Sequence, residues 1–199
     1  MLYFASSNQG KLTRLQKLFS RLDPNLPIQF VPDYIEVEEN GRDGRENSQK
    51  KILPYVDQYP YPVLSQDTAV FFSGEDFDPT HVRRVALGEK NEKDLTPEQI
   101  AALMEKFYID LANKYGGQKD FYYIDYWTLL QPDGQIDQIE NKREYTLTSQ
   151  PHGPIDIHLP MRHLYISKTT GKYFHDQTAE EYFLELSPQI VALKQLFYS

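Results

Sequence analysis

The sequence predicts a mixed α/β protein, one twisted sheet with helices packed around it. Three observations carry that prediction. The N-terminal half alternates short apolar runs with helical spacing, as in Leu2–Ala5 followed at once by Leu12, Leu15, Leu18, Phe19 and Leu22. An aromatic run, FYYIDYWTLL, is followed by Pro132-Asp133-Gly134 and a second extended stretch, which reads as a hairpin. Two helix starts are spelled out, Thr96-Pro97-Glu98-Gln99 and Thr178 with Glu181, each with a Thr cap and an acceptor three residues on.

Taken in order, Leu2 to Ala5 predicts a buried strand, and the helix that follows ends at Asp23-Pro24. Ile28 to Val31 predicts a second strand. Residues 46–58 have weak helical character with a kink at Pro54. YPVLSQDTAVFF predicts a strand or strand pair around the polar Gln66-Asp67-Thr68, and 76–96 reads as charged and irregular. The helix from Pro97 carries an apolar face of Ile100, Leu103, Met104, Phe107, Tyr108 and Leu111, and Gly116-Gly117 stop it. After Phe121–Leu130 and its hairpin partner Gln135–Thr148 comes a Pro/Gly-rich loop, SQPHGPIDIHLP. A short strand at Leu164–Ser167 follows, then a C-terminal helical region re-capped at Ser187-Pro188.

The chain has 199 residues, a length suited to one domain, 1–199, and to a core without staples. Without cysteine it has no disulfide, thiol nucleophile or zinc-thiolate site. No apolar run approaches a membrane span of about 18 residues, and no basic-then-apolar leader opens the chain, so a cytoplasmic protein without a membrane partner is expected. A net charge of −8 argues against duplex nucleic acid as a partner. The 15 Tyr and 11 Phe suit a half-buried pleated surface.

Three stretches carry chemistry. Ser6-Ser7-Asn8-Gln9-Gly10-Lys11 sits where a strand gives way to a helix. Unpartnered first-turn N–H groups and the helix dipole favour an anion there, Gly10 permits close approach and Lys11 brings a charge. The stretch fits a phosphate cradle or an ordinary capped junction. In EVEENGRDGRENSQKK, Glu36, Glu38, Glu39 and Glu46 stand beside Lys50 and Lys51, a composition that fits Mg²⁺ with a polyphosphate or a solvated charged loop. Asp67 lies inside an apolar strand, where an ionisable group is costly unless partnered or facing a cleft. It reads as a catalytic or metal carboxylate or as a turn aspartate. Together the three supply the parts of metal-assisted phosphoanhydride hydrolysis.

In that order the pieces resemble the inosine triphosphate pyrophosphatase family, which hydrolyses non-standard purine nucleoside triphosphates. The family's Thr/Ser-x-Asn-x-x-Lys is matched by Ser6, Asn8 and Lys11. Its Glu-x-x-Gly…Glu-Asn-Ala…Lys is matched by Glu38-Glu39-Asn40-Gly41, Glu46-Asn47-Ser48 and Lys51. Its Asp-Asp-Ser-Gly-Leu stands as Gln66-Asp67-Thr68-Ala69-Val70. The resemblance covers roughly the first 70 residues. It implies an elongated fold with a central cleft, a homodimer, and a nucleoside triphosphate substrate cleaved to monophosphate and pyrophosphate. By the same resemblance Ser6–Lys11 and Lys51 would hold the triphosphate and Thr68 would touch substrate. Glu38 and Asp67 would hold Mg²⁺, with Asp67 also activating water.

The departures fall mainly on base recognition, apart from Gln66, which removes one negative charge near the metal. Gln66 replaces the first Asp of the family's pair, and SQPHGPIDIHLP stands where the family has Gly-Phe-Gly-Tyr-Asp-Pro. Its terminal Ser-His-Arg appears as Ser187-Pro188-Gln189, making Gln189 the counterpart of a base contact. Asp67-Thr68 is also similar to the Maf-type pyrophosphatases, which implies pyrimidine nucleotides as an alternative, and the missing motifs allow a binding or regulatory protein with reduced turnover. His152, His158, His163 and His175 have no metal-ligand spacing and read as scattered surface or base-contact residues. Trp127 reads as core, and one of Tyr122, Tyr123 or Tyr126 is open to stacking on a base. Arg83-Arg84 beside Glu75, Asp76 and Asp78 read as a salt-bridged loop.

Overall fold

In the computed structural model, which describes residues 1–198, the first apolar run forms β1, Leu2–Phe4, and Asn8 caps α1, Gln9–Leu22. The backbone N–H of Asp23 closes that helix on the Phe19 carbonyl, just before Pro24. β2, Ile28–Phe30, then leads to α2, Gly44–Ile52, and a 3₁₀ turn at Leu53–Tyr55 where Pro54 ends the helix. YPVLSQDTAVFF yields one continuous strand, β3 at Val63–Phe72, because its polar residues find partners without breaking the ladder.

The segment read as irregular, 76–96, contains α3, Val82–Leu87, and a 3₁₀ turn at Glu92–Asp94. At six residues α3 is too short to show periodicity, yet Val82 and Leu87 are buried. α4, Pro97–Lys114, carries the expected capping box between Thr96 and Gln99. Gly116 and Gly117, at φ 81° and 98°, take the left-handed conformation that ends it, and the Gly117 N–H reaches the Ala112 carbonyl. β4, Gln118–Leu130, and β5, Ile136–Thr148, form the two arms joined through the turn at 131–135, followed by β6, Tyr165–Ser167. Thr178 and Glu181 cap one another as expected ahead of α5, Ala179–Glu185, and α6 runs from Ser187 to Tyr198.

The strands make one mixed sheet in the order β2-β1-β3-β4-β5-β6. β1 is parallel to β2 (Leu2 opposite Ile28) and to β3 (Tyr3 opposite Val63), with α1 and α2 in the crossovers; β5 and β6 are antiparallel. The chain divides into two compact units. One comprises residues 1–69, 124–142 and the described residues from 186; its core includes Tyr3, Val31, Ile52, Tyr55, Val63 and Leu130, with Phe19 of α1 edge-on to Phe197 of α6. The other comprises 70–123 and 143–185. Its core is aromatic: Phe121 stacks on Phe72 and Tyr145, and Tyr145 packs on Tyr165. Among the described residues no helix is long and apolar enough to cross a membrane.

Candidate active site

All the residues singled out for phosphate or metal chemistry fall in the first unit. At the β1–α1 junction the Asn8 side chain accepts from the Lys11 N–H at 3.0 Å, and Ser6 Oγ accepts from the Asn8 N–H at 3.1 Å. This curls the loop around the open end of the helix, where the N–H groups of Gln9 and Gly10 have no place in the intrahelical ladder. Ser7 shares a side-chain hydrogen bond with Tyr34.

α2 builds the other half of the site. Its buried face carries Gly44, Asn47, Ser48 and Lys51, with Ile52 as its one large apolar residue. Repeating every three or four residues, they face the sheet together. Ser65 donates to the Ser48 carbonyl at 2.6 Å, and Lys51 Nζ lies 2.8 Å from Asp67 Oδ1. Lys51 also lies 3.1 Å from Glu39 Oε2. The loop is held there because Asn47 Oδ1 accepts from the Gly41 N–H at 2.7 Å and Lys50 donates to Asn40 at 2.5 Å. Glu39 is thus the loop carboxylate that reaches Lys51, which also holds Asp67, while Glu38, the expected metal ligand, is exposed and makes no ion pair among the described residues.

Gly44 has a steric reason. A Cβ there would run into the Tyr126 ring and stand 3.1 Å from Asp67 Oδ2. Gly44→Ala is expected to lower stability by about 1–3 kcal/mol through overpacking, read as a drop in the urea midpoint at unchanged m-value.

Burial and opposed charges shape the electrostatics. Desolvation, joined by the charge of Lys51, lowers the pKa of Lys11 to about 8, although Asp67 pulls the other way. Burial also acts to lower the Lys51 pKa, but Asp67 and Glu39 outweigh it and hold the ammonium above its ordinary value. Tyr34 is pushed up, chiefly by burial. Arg14, one helical turn after Lys11, adds a positive charge that the sequence reading passed over.

Successive β3 side chains point to opposite faces, so Gln66 and Thr68 turn away from Asp67. Both donate to Asp125 Oδ1, at 2.9 and 3.0 Å. Asp125 Oδ2 accepts from Asn141 at 3.0 Å and from Gln189 at 2.9 Å. Gln189, expected at a base, is thus fully buried and engaged, and the Thr68 hydroxyl, expected at the substrate, donates to the same carboxylate. Asp125 itself, inside an aromatic strand, was missed, although the rule that singled out Asp67 applies to it equally.

Elsewhere, Trp127 is core, its indole donating to Asn141. Tyr126 walls the Asp67 side, Tyr122 stacks on Phe71, and Tyr123 packs among the second unit's aromatics. The histidines go to separate partners: His152 Nε2 to Asp176, His163 Nε2 to Glu105, and His175 Nε2 to the Pro154 carbonyl. Arg83 pairs with Glu92, not with the acidic residues before it; those find Lys114 (Glu75) and His81 (Asp78).

Comparison with known proteins bears on the family and the fold. The model of the Ham1 family matches residues 2–154. A dITP/XTP pyrophosphatase of Prochlorococcus marinus is 50% identical over 78 residues, 39% of this chain; the match spans 40% of that relative's length. Three solved structures share the fold at low identity. A nucleoside-triphosphatase / dITP/XTP pyrophosphatase from Mycobacterium abscessus has a TM-score of 0.66 and 16% identity over 100% of this chain and 99% of its own. The Staphylococcus aureus Ham1 protein has 0.65 and 16%, with 98% of each chain covered. A Coxiella burnetii HAM1 protein has 0.68 and 14%, covering 98% of this chain and 96% of its own. With a family model matched across most of its length, and with its loop, lysines and strand carboxylate gathered in one place, the chain belongs to the Ham1 family.

Proposed function

We propose that the chain is a Mg²⁺-dependent nucleoside triphosphate pyrophosphatase, releasing monophosphate and pyrophosphate from a non-standard purine nucleotide, with base recognition altered. The observation that carries the reading is Lys51 lodged between Asp67 and Glu39, beside a helix N-terminus that bears Lys11. A relative named for dITP and XTP supports that substrate class. The engagement of Gln189 by Asp125 supports a base contact different from the one its position implies. Family membership supports a homodimer acting on free nucleotides in the cytoplasm.

The donor set suits the metal. Asp67 and Glu39 offer oxygen only, and Mg²⁺ prefers one or two carboxylates completed by water and substrate phosphates. When bound, the ion would offset phosphate charge and organise water. The chain's own groups supply the rest. The Gln9 and Gly10 N–H groups and the Lys11 ammonium bind phosphate oxygens, and Lys51 stabilises the charge that builds on the departing pyrophosphate. Asp67, fixed by Lys51, orients the attacking water and accepts its proton.

Lys11 must be charged to bind phosphate. Its pKa of about 8 in the free protein predicts kcat/KM falling as pH rises through about 8. Lys11→Arg should move that alkaline limb upward; an unmoved limb would assign it to another group.

The functional reading is tested by incubating the chain with inosine, xanthosine, standard purine and pyrimidine triphosphates, with Mg²⁺ and with chelator. Metal-dependent release of pyrophosphate, fastest for a non-standard purine, is expected. Fastest turnover of a pyrimidine would transfer the reading to a Maf-like specificity, and tight binding without product would make it a regulatory protein.

A further inference from the structure

We propose that Asp125 is a positioning residue for this site, locking the two β3 side chains that flank Asp67, and with them the aim of the Asp67 carboxylate. This rests on the function proposed above. Asp125 is fully buried on β4, and side-chain donors from three elements converge on it: Gln66 and Thr68 of β3, Asn141 of β5 and Gln189 of α6. Four donors match the four or so lone-pair sites of a carboxylate. Asn141 is itself held by the Trp127 indole, 2.8 Å from its Oδ1.

Gln66 is the joint of the network. Its Nε2 donates to Asp125 at 2.9 Å, while its Oε1 faces Arg14 Nη2 at 3.4 Å. The amide therefore bridges an anion and a cation, with each end matching its partner. A carboxylate at position 66 would face that of Asp125 across the same gap. A neutral donor at 66 and an acceptor at 125 require one another, so Gln66 is the partner Asp125 demands rather than a lost acid. Because Gln66 and Thr68 stand on either side of Asp67 in one strand, tying both to Asp125 fixes the backbone that aims Asp67 at Lys51.

The two oxygens of Asp125 have separate duties, and that makes the pairing testable by exchange. Oδ1 serves Gln66 and Thr68, while Oδ2 serves Asn141 and Gln189. Asp125→Asn with its amide nitrogen on the Oδ1 side opposes donor to donor at Gln66. Gln66→Glu opposes carboxylate to carboxylate. The double variant restores a donor–acceptor pair with reversed polarity, since the introduced amide nitrogen can donate to the introduced carboxylate and the Thr68 hydroxyl can accept. Both replacements preserve side-chain shape.

The experiment is a double-mutant cycle in the full chain, reading thermal midpoint and steady-state kinetics on inosine triphosphate with Mg²⁺. Each single variant is expected to lower kcat about tenfold with KM within about threefold, since a misaimed group costs rate more than binding. The double variant should regain most of that loss and of the midpoint. Unchanged kcat in folded single variants, or a double variant no better than the worse single, overturns the proposal. Should Asp125→Asn fail to fold, Gln66→Met removes the donor without adding charge; it should lower kcat in the same way, and an unchanged kcat counts against the role. A parent chain that hydrolyses no nucleotide overturns the functional reading, and the positioning role with it. Loss of the cycle in an active parent overturns the positioning role alone.

Discussion

Asp67→Asn is expected to leave the chain folded and to lower turnover about a thousandfold, the scale of losing a positioned general base. The amide keeps the shape that fits against Gly44 and Tyr126, and Lys51 retains Glu39 as a counter-charge, 3.1 Å away. What disappears is the group proposed to accept the water's proton. Steady-state rates beside a thermal melt separate the two effects: kcat should collapse in a chain that still melts cooperatively, with a smaller midpoint drop than Lys51→Met because Glu39 still faces the ammonium. A variant with parental kcat would remove Asp67 from the chemistry.

Lys51→Met has the largest expected effect on stability. The ammonium is buried, and Asp67 is buried with it. Removing one partner of a buried pair strands the other charge and costs about 3–5 kcal/mol, a large share of the roughly 5–15 kcal/mol that holds a domain together. Urea denaturation at pH 7 should show that loss, and nucleotide KM should rise in whatever fraction remains folded. Linkage gives a second sign. Lys51 holds its proton more tightly in the folded chain than in the unfolded one, so its contribution is complete below the ordinary lysine pKa. It is then lost as pH climbs through the raised value. The parent should therefore lose stability toward strongly alkaline pH more steeply than Lys51→Met does.

The elements that apolar periodicity announces were legible in the sequence: α1, α4 with its capping box, and the β4–β5 hairpin. α2 was faint because the face it buries carries Gly44, Asn47, Ser48 and Lys51 with only Ile52 as an apolar residue, so no apolar stripe marks it. α3 was invisible for want of length. At the site, types and spacing pointed to Lys11, Lys51 and Asp67. The resemblance named Glu38 beside Asp67, whereas the carboxylate that reaches Lys51 is the adjacent Glu39, a difference that follows from how Asn47 and Lys50 tether the loop at Gly41 and Asn40. Types and spacing could not show that Gln189 and Thr68 turn to Asp125, since position 125 comes into contact with 66, 68 and 189 only through the folded chain.

The central claim is cleavage that releases pyrophosphate at the site of Lys11, Lys51, Asp67 and Glu39. Product stoichiometry on inosine triphosphate with Mg²⁺, followed by phosphorus NMR, tests it most directly. Inosine monophosphate and pyrophosphate should appear in equal amounts, with neither formed by Asp67→Asn on the same timescale. Inosine diphosphate and orthophosphate would contradict the account.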